Sequence, residues 1–292
     1  GRAVHVSSVA AIGPAPPGGA VDERQIRTAP IGLPYPDSKL AGESEALRVG
    51  ARGLDVVIAC PAHVLGRGDA RRSSTDVVRR FLLRRIPAYV DGAINVVDVA
   101  DVTTGLLLCE QRGSAGERYI LGNRNYTWQR FFAELTRLSG VEPPAVDMPV
   151  RLASVLAEAA AHGPVRAPVS PEEIRAASLW WTCRSTRARN ELGWTSRPHE
   201  DTVEETVRWW EERLGDRLGG LSDGRRRGSR RVLGPVLAAV GVALAHRAVG
   251  RGGRRGRHRG LLRPRVHRSR LAHYPHGPPS CAHRASSAGR RV

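Results

Sequence analysis

Apolar runs of strand length alternate with amphipathic segments of helix length between residues 3 and 140. The first strand is predicted at Val4–Ser7. The segment Leu54–Cys60 is apolar at nearly every position, which is typical of a central strand buried on both faces. The other elements are predicted in the order helix 36–49, helix 75–85, strand 94–97, helix 99–110, strand 118–121 and helix 128–139. This alternation predicts an α/β protein built on a parallel sheet.

After Gly140 the periodicity becomes mainly helical. Residues 141–220 are therefore expected to form a smaller, mainly helical lobe, with helices at 150–161, 171–178, 186–192 and 202–214. Trp180–Trp181 and Trp209–Trp210 are assigned to helical positions. For both pairs, packing in the core is favoured over stacking on a nucleotide or a sugar.

The formal net charge of +18 is concentrated at the C-terminal end of the chain. Residues 221–292 contain 18 Arg and a single acidic residue, Asp223, whereas residues 1–220 carry 28 basic and 27 acidic residues. Only the first 220 residues therefore have the composition of an enzyme. Residues 221–292 are predicted to be a basic, low-complexity tail that is disordered, because a composition dominated by Arg, Gly, His, Pro, Ser and Ala cannot form a packed core.

Three interpretations of this tail stay open. The apolar run at 232–245 is shorter than a membrane span and is broken by Pro235, but it could attach the chain peripherally to a membrane. The Arg clusters at 225–231 and 251–259 could neutralise nucleic-acid phosphates, although no specific nucleic-acid partner is predicted. The absence of Lys and Glu is also typical of a shifted reading frame in GC-rich DNA, which is the interpretation we favour.

Four cysteines, Cys60, Cys109, Cys183 and Cys281, are scattered without C-x-x-C spacing. This pattern supports neither a zinc cluster nor a disulfide framework, and no metal site is predicted. The sequence shows no signal peptide. A reducing, cytoplasmic location is therefore the expectation.

The candidate chemistry lies at the only lysine. Of the 46 basic residues, 45 are Arg and one is Lys39. Tyr35 stands four residues before it, so both side chains share one face of the predicted helix, about 6 Å apart at Cβ. An ammonium beside a phenol stabilises the phenolate, so Tyr35 can exchange a proton with an alcohol or ketone oxygen. Ser7–Ser8 ends the first strand at the sheet edge where open α/β folds bind ligands.

Longer motifs give these residues a context. The chain resembles the extended short-chain dehydrogenase/reductases, also called the NAD-dependent epimerase/dehydratase family, and within it the dihydroflavonol-reductase-like and hopanoid-associated sugar epimerase members. The resemblance covers residues 3–215 in order. It is carried by VHVSSVAAIG at 4–13, VDE at 21–23, YPDSKLAGE at 35–43, VVIACPAHVLGRGD at 56–69, NVVDVADVTTGLL at 95–107 and GERYILGNRNYTW at 116–128.

The resemblance implies a role for each site residue. The catalytic residues would be Ser8, which positions the substrate oxygen, Tyr35, the general acid/base, and Lys39, which holds the nicotinamide ribose. The cofactor, NAD or NADP, would also meet the turn from Pro61 to Val64. The expected cofactor contacts are thus Tyr35, Lys39, Pro61, Ala62 and Val64, and the expected substrate contacts are Ser8, Val9 and His63. Asp98 and Asp101 are interpreted as organising a helix start, as in relatives, rather than as catalytic carboxylates.

Departures from the family pattern limit these roles. The family opens with a strand, a Gly-rich G-x-x-G-x-x-G loop and a helix that receive the pyrophosphate, and residues 1–220 contain no such loop. The chain is therefore expected to begin inside a doubly wound Rossmann-type domain and to be inactive as such. Residues 1–140 would form the later part of this domain with interleaved segments of the substrate-binding lobe, which is mainly residues 141–220. Cys60 stands where many relatives have Arg, which puts substrate phosphate recognition in doubt. Val9–Ala10 stand where sugar dehydratases have an acidic pair, so elimination of water is disfavoured.

The resemblance predicts an NAD(P)-dependent epimerase or reductase that transfers hydride at a secondary alcohol or ketone, with a nucleotide sugar or related small molecule as substrate. The expected partners are this small-molecule substrate and a second copy of the chain, with which it would form a homodimer. The alternative is a non-catalytic scaffold or binding protein that derives from this fold and uses its basic tail on a membrane or nucleic acid.

Overall fold

The computed structural model describes residues 1–86, 88–144, 146–161, 170–215 and 218, without the side chains of 157 and 159–161. All of these residues belong to one unit of the chain. The predicted basic tail, 221–292, lies outside the described residues. The elements of the described part are β1 Arg2–Val6, α1 Val9–Ile12, α2 Pro34–Gly50, β2 Asp55–Pro61, β3 His63–Leu65, α3 Asp76–Leu82, β4 Ala88–Tyr89, β5 Ala93–Asp98, α4 Val99–Arg112, β6 Arg118–Leu121, β7 Arg124–Thr127, α5 Trp128–Ser139, β8 Val146–Asp147, α6 Val150–Ala161, α7 Pro171–Ala177, β9 Trp180–Trp181, α8 Thr186–Leu192 and α9 His199–Leu214.

The first sheet is parallel and has the strand order β1-β2-β6. Its central strand, β2, is buried on both faces, as predicted from its continuous apolar run. Val57 and Ala59 face a core formed with α4 and α8, in which Trp194 is the largest fully buried side chain. Val56, Ile58 and Cys60 face the opposite core with Val9 and Ile12 of α1. The α/β fold class is therefore confirmed.

The second sheet is centred on β5. β3 and β9 pair with β5 in parallel, whereas β7 pairs with it antiparallel, with Ile94 opposite Tyr126. The chain passes from the first sheet to the second at Ala62, whose N–H donates to the carbonyl of Leu121 at 3.0 Å. Helices α3, α5 and α9 cover this sheet with an aromatic core in which Phe81 stacks on Phe132. A third pairing, β4 with β8, is two residues long.

Most predicted elements are confirmed, and the differences are local. The predicted strand at 118–121 and helices at 128–139, 150–161 and 186–192 have the observed bounds. The helix predicted from residue 36 begins at Pro34, and the one predicted from 202 begins at His199. The sheet is not wholly parallel, because β7 runs antiparallel to β5.

The two Trp pairs differ in structure. The helical assignment of Trp180–Trp181 is wrong, since both residues form strand β9, where Trp181 pairs with Ile94 of β5. Trp209 and Trp210 lie in α9 and are buried, which confirms their assignment to the core. No helix within the described part of the chain is both long enough and apolar enough to cross a membrane.

Candidate active site

The start of α2 carries Tyr35, and the loop before it fixes where the helix begins. Pro34 occupies the first helical position, where the absent N–H costs nothing. Leu33, the residue before the helix, makes no side-chain cap. Asp37, in the first turn of α2, instead binds the loop that precedes the helix. Its carboxylate accepts from the backbone N–H groups of Ile31, Gly32 and Leu33. These hydrogen bonds lower the pKa of Asp37, so it is ionised at neutral pH.

Tyr35 and Lys39 lie together, as their spacing predicts. The ammonium Nζ of Lys39 is 5.9 Å from the centroid of the Tyr35 ring. It also donates a hydrogen bond to the carbonyl of Val6, at the end of β1, at 3.2 Å. Tyr35 is 58% exposed, and its hydroxyl has no partner among the described residues. The phenol is therefore open to a ligand.

Ser8 is held directly after β1 as the N-cap of α1. Its Oγ accepts from the N–H of Ala10 at 3.2 Å. Within the described part of the chain the Ser8 hydroxyl proton has no acceptor, so it can be donated to a substrate oxygen. Helix α1 packs on α2, which brings the Ser8 segment beside the helix that carries Tyr35.

The other predicted contacts lie at the carboxyl ends of the strands. The expected turn at Pro61–Val64 is a junction between strands: Pro61 ends β2, Ala62 connects, and Val64 lies in β3. Val9 is 4% exposed and packs in the core, so only its backbone is available to a substrate. His63 bonds through Nε2 to the carbonyl of Ser74 at 2.7 Å, and burial lowers its pKa. Their roles in binding stay predictions.

The flanking acidic residues are structural. Asp98 caps α4 by accepting from the N–H of Ala100, and Asp101 accepts from the N–H of Arg197. This confirms the interpretation for Asp98, whereas Asp101 joins α4 to the segment that precedes α9. Cys60 is fully buried, and burial raises the pKa of its thiol. It therefore cannot contact a substrate phosphate at the surface. Cys109 and Cys183 are also buried and free.

Sequence reasoning missed the contacts of two buried carboxylates, one of which borders the site. Glu43, on α2, is 1% exposed and bonds to Ser7 and Arg118. Glu23 is 8% exposed and accepts from the N–H of Ile120, and burial raises its pKa. Both occur in motifs that carried the family resemblance, VDE and YPDSKLAGE. Their place in these motifs was the only sign in the sequence that they matter. Their hydrogen-bond partners are distant in the sequence and could not be predicted.

Comparison with known proteins agrees with this geometry. Residues 1–122 match the model of the NAD-dependent epimerase/dehydratase family. The chain is 33% identical over 220 residues to a protein from Synechocystis sp. named as a dihydroflavonol 4-reductase, covering 72% of this chain and 64% of that protein. It is 30% identical over 219 residues to sterol demethylase protein B of Methylococcus capsulatus, covering 73% and 67% of the two chains.

A solved structure shows the same fold. A nucleoside-diphosphate-sugar epimerase from Pseudomonas aeruginosa superposes with a TM-score of 0.62 at 27% identity, covering 72% of this chain and 66% of that one. The part of this chain that matches the Synechocystis relative spans slightly less than two thirds of the length of that protein. With the Tyr35–Lys39 pair, the Ser8 cap and these matches together, the chain belongs to the NAD-dependent epimerase/dehydratase family.

Proposed function

We propose that the protein transfers hydride between a nicotinamide cofactor and a secondary alcohol or ketone, with Tyr35 as its general acid/base. The observation that carries this proposal is the placement of Lys39. Its ammonium is anchored on the Val6 carbonyl and lies beside the ring of an exposed Tyr35. An exposed phenol held in this position can exchange a proton with the oxygen of an alcohol or ketone.

The described residues fit the nicotinamide end of the cofactor. Lys39 would hold the ribose, and the backbone from Pro61 to Val64 would meet the ring. Val6, whose carbonyl binds Lys39, is 45% exposed at the end of β1, where a flat ring can pack against it. The bound cofactor supplies or accepts the hydride. The phosphates would need a Gly-rich loop between a strand and a helix, and residues 1–220 contain neither G-x-x-G-x-x-G nor G-x-G-x-x-G.

The chain's own groups handle the proton. The Ser8 hydroxyl would donate to the substrate oxygen, because its Oγ is already oriented by the N–H of Ala10. Tyr35 would give its proton to the same oxygen in reduction and take it back in oxidation. Lys39, donating to Val6, would stay beside the phenol throughout.

The residues after Ser8 favour simple reduction or epimerisation over dehydration. Elimination needs an acid and a base of its own, and Val9 and Ala10 offer neither and are buried. The relatives' names point to ring ketones and to nucleoside-diphosphate sugars. A small cyclic ketone or 4-ketosugar is the substrate class that we propose.

Deuteride transfer tests this function. The protein at its full natural length would be incubated with cofactor deuterated at the transferable position and with a dihydroflavonol or a nucleoside-diphosphate 4-ketosugar. The expected product carries one deuterium at the carbinol carbon, detected by mass spectrometry. Saturable cofactor binding without deuterium in any product would instead support the non-catalytic alternative.

A further inference from the structure

A buried carboxylate beside the candidate site takes no part in the chemistry above. Glu43 lies one turn after Lys39 on α2 and is 1% exposed. Its Oε2 accepts from the Ser7 hydroxyl at 2.7 Å, and its Oε1 pairs with Nε of Arg118 at the start of β6. Glu43 therefore joins α2 to the strand end that leads into Ser8.

Ser7 is fixed from two sides. Its N–H donates to the carbonyl of Ala59 on β2 at 2.8 Å, while its hydroxyl donates to Glu43. Ser8 follows directly and caps α1. Because both the backbone and the side chain of Ser7 are bonded, the peptide that carries Ser8 has little freedom to rotate.

Lys39 and Glu43 bind neighbouring residues of the same segment. Lys39 holds the Val6 carbonyl and Glu43 holds the Ser7 hydroxyl, one helical turn apart on α2. Tyr35 lies one further turn toward the start of this helix face. The helix that carries the phenol is thus bonded twice to the segment that carries the serine hydroxyl.

A buried ion pair between Glu43 and Arg118 would not need Ser7, and such pairs contribute little net stability compared with apolar packing. The bond to Ser7 is the feature that links Glu43 to the site. We infer that Glu43 is a positioning residue, which sets the place of Ser8 relative to Tyr35 by holding Ser7. The effect of Glu43 on turnover rests on the proposed function, whereas its effect on the position of Ser8 does not.

The test compares Glu43→Gln and Ser7→Ala with the control Glu45→Gln. Glu45 is an exposed glutamate of the same helix that pairs with Arg48. Ser7→Ala leaves the Glu43–Arg118 pair intact, so it keeps the test decisive if Glu43→Gln does not fold. For each folded variant, kcat, the KM for reduced cofactor and amide hydrogen exchange of residues 5–12 would be measured, with Tyr35→Phe as the reference for loss of chemistry.

We expect Glu43→Gln and Ser7→Ala each to lower kcat per folded enzyme by about tenfold or more, since small displacements of a catalytic group are costly. The KM for cofactor should stay close to the wild-type value, and exchange should accelerate at residues 5–12. The double variant should be no worse than the poorer single variant, because both remove one interaction. Glu45→Gln should match the wild type.

The outcomes separate two failures. If Tyr35→Phe lowers turnover but Glu43→Gln and Ser7→Ala leave kcat per folded enzyme unchanged, Glu43 is only structural and the inference is overturned. If Tyr35→Phe retains turnover, the proposed function fails, and the exchange data then decide whether Glu43 fixes the Ser8 segment. Unchanged exchange at residues 5–12 in both variants would overturn the inference by itself.

Discussion

The Arg27 guanidinium binds the Asp37 carboxylate at 2.6 Å and so joins the loop that follows α1 to the first turn of α2. The Arg27 side chain is only 8% exposed, and it also donates to the carbonyls of Ala11 and Pro36. Together with the three backbone N–H groups that Asp37 accepts, this pair determines where Tyr35 is presented.

Asp37→Ala should therefore lower Tm by several degrees and increase proteolysis between residues 24 and 35. The loop loses four hydrogen bonds at once, one of which is the ion pair with Arg27. Asp22→Ala is the matched control, because Asp22 pairs with an Arg24 that is 86% exposed. Its Tm should change little, as expected of a surface ion pair. Equal effects of the two substitutions would contradict the anchoring role of Asp37.

Tyr35→Phe should lower turnover by about a hundredfold or more in the full-length protein, because the substitution removes the proton donor and nothing else. Cofactor affinity, measured by fluorescence titration, should hardly change. Tyr89→Phe is a suitable control, since Tyr89 packs against Phe132 in the aromatic core that covers the second sheet. Wild-type turnover in Tyr35→Phe would rule out the proposed mechanism.

Lys39→Arg should be almost as damaging to turnover, although it keeps the positive charge. The planar guanidinium cannot take the place of a compact ammonium between the Val6 carbonyl and the phenol ring. Arg48→Lys, at an exposed position of the same helix, provides the reciprocal control and should be neutral. An active Lys39→Arg enzyme would show that only the charge matters.

Stability should fall when the pH is lowered from 7.5 to 5.5. Burial, the largest cause, lowers the pKa of His63 and of His5 in the folded state below the ordinary value of 6.5. Above pH 6.5 both rings are neutral whether the chain is folded or not. Below it the unfolded chain takes up protons first, which favours unfolding.

Urea denaturation followed by Trp fluorescence would measure this dependence as a lower midpoint at pH 5.5. His63→Gln should make the midpoint less dependent on pH in this interval, because it removes one of the two groups. The raised pKa values of the Glu23 and Asp101 carboxyls act in the opposite direction, because the folded chain takes up these protons first. A midpoint that is the same at both pH values in the wild type would contradict the prediction.

Elements with long, regular patterns follow from the amino-acid sequence alone. The apolar run of β2 predicts a strand with two covered faces, and the structure divides its residues between two cores. The spacing of Tyr35 and Lys39 predicts one helix face, because i and i+4 meet on any α-helix. These are local relations, so composition and periodicity are enough to reveal them.

Features that depend on distant partners are visible only in the folded chain. Trp180–Trp181 is a strand only because β5 provides backbone groups to pair with, against an otherwise helical local pattern. Glu43 meets Ser7 and Arg118 across 36 and 75 residues of sequence, and neither distance leaves a periodic signal. The hydrogen bond between the His63 ring and the Ser74 carbonyl likewise leaves no periodic signal in the sequence. Such contacts follow from how strands and helices stack, which the pattern of apolar positions constrains but does not specify.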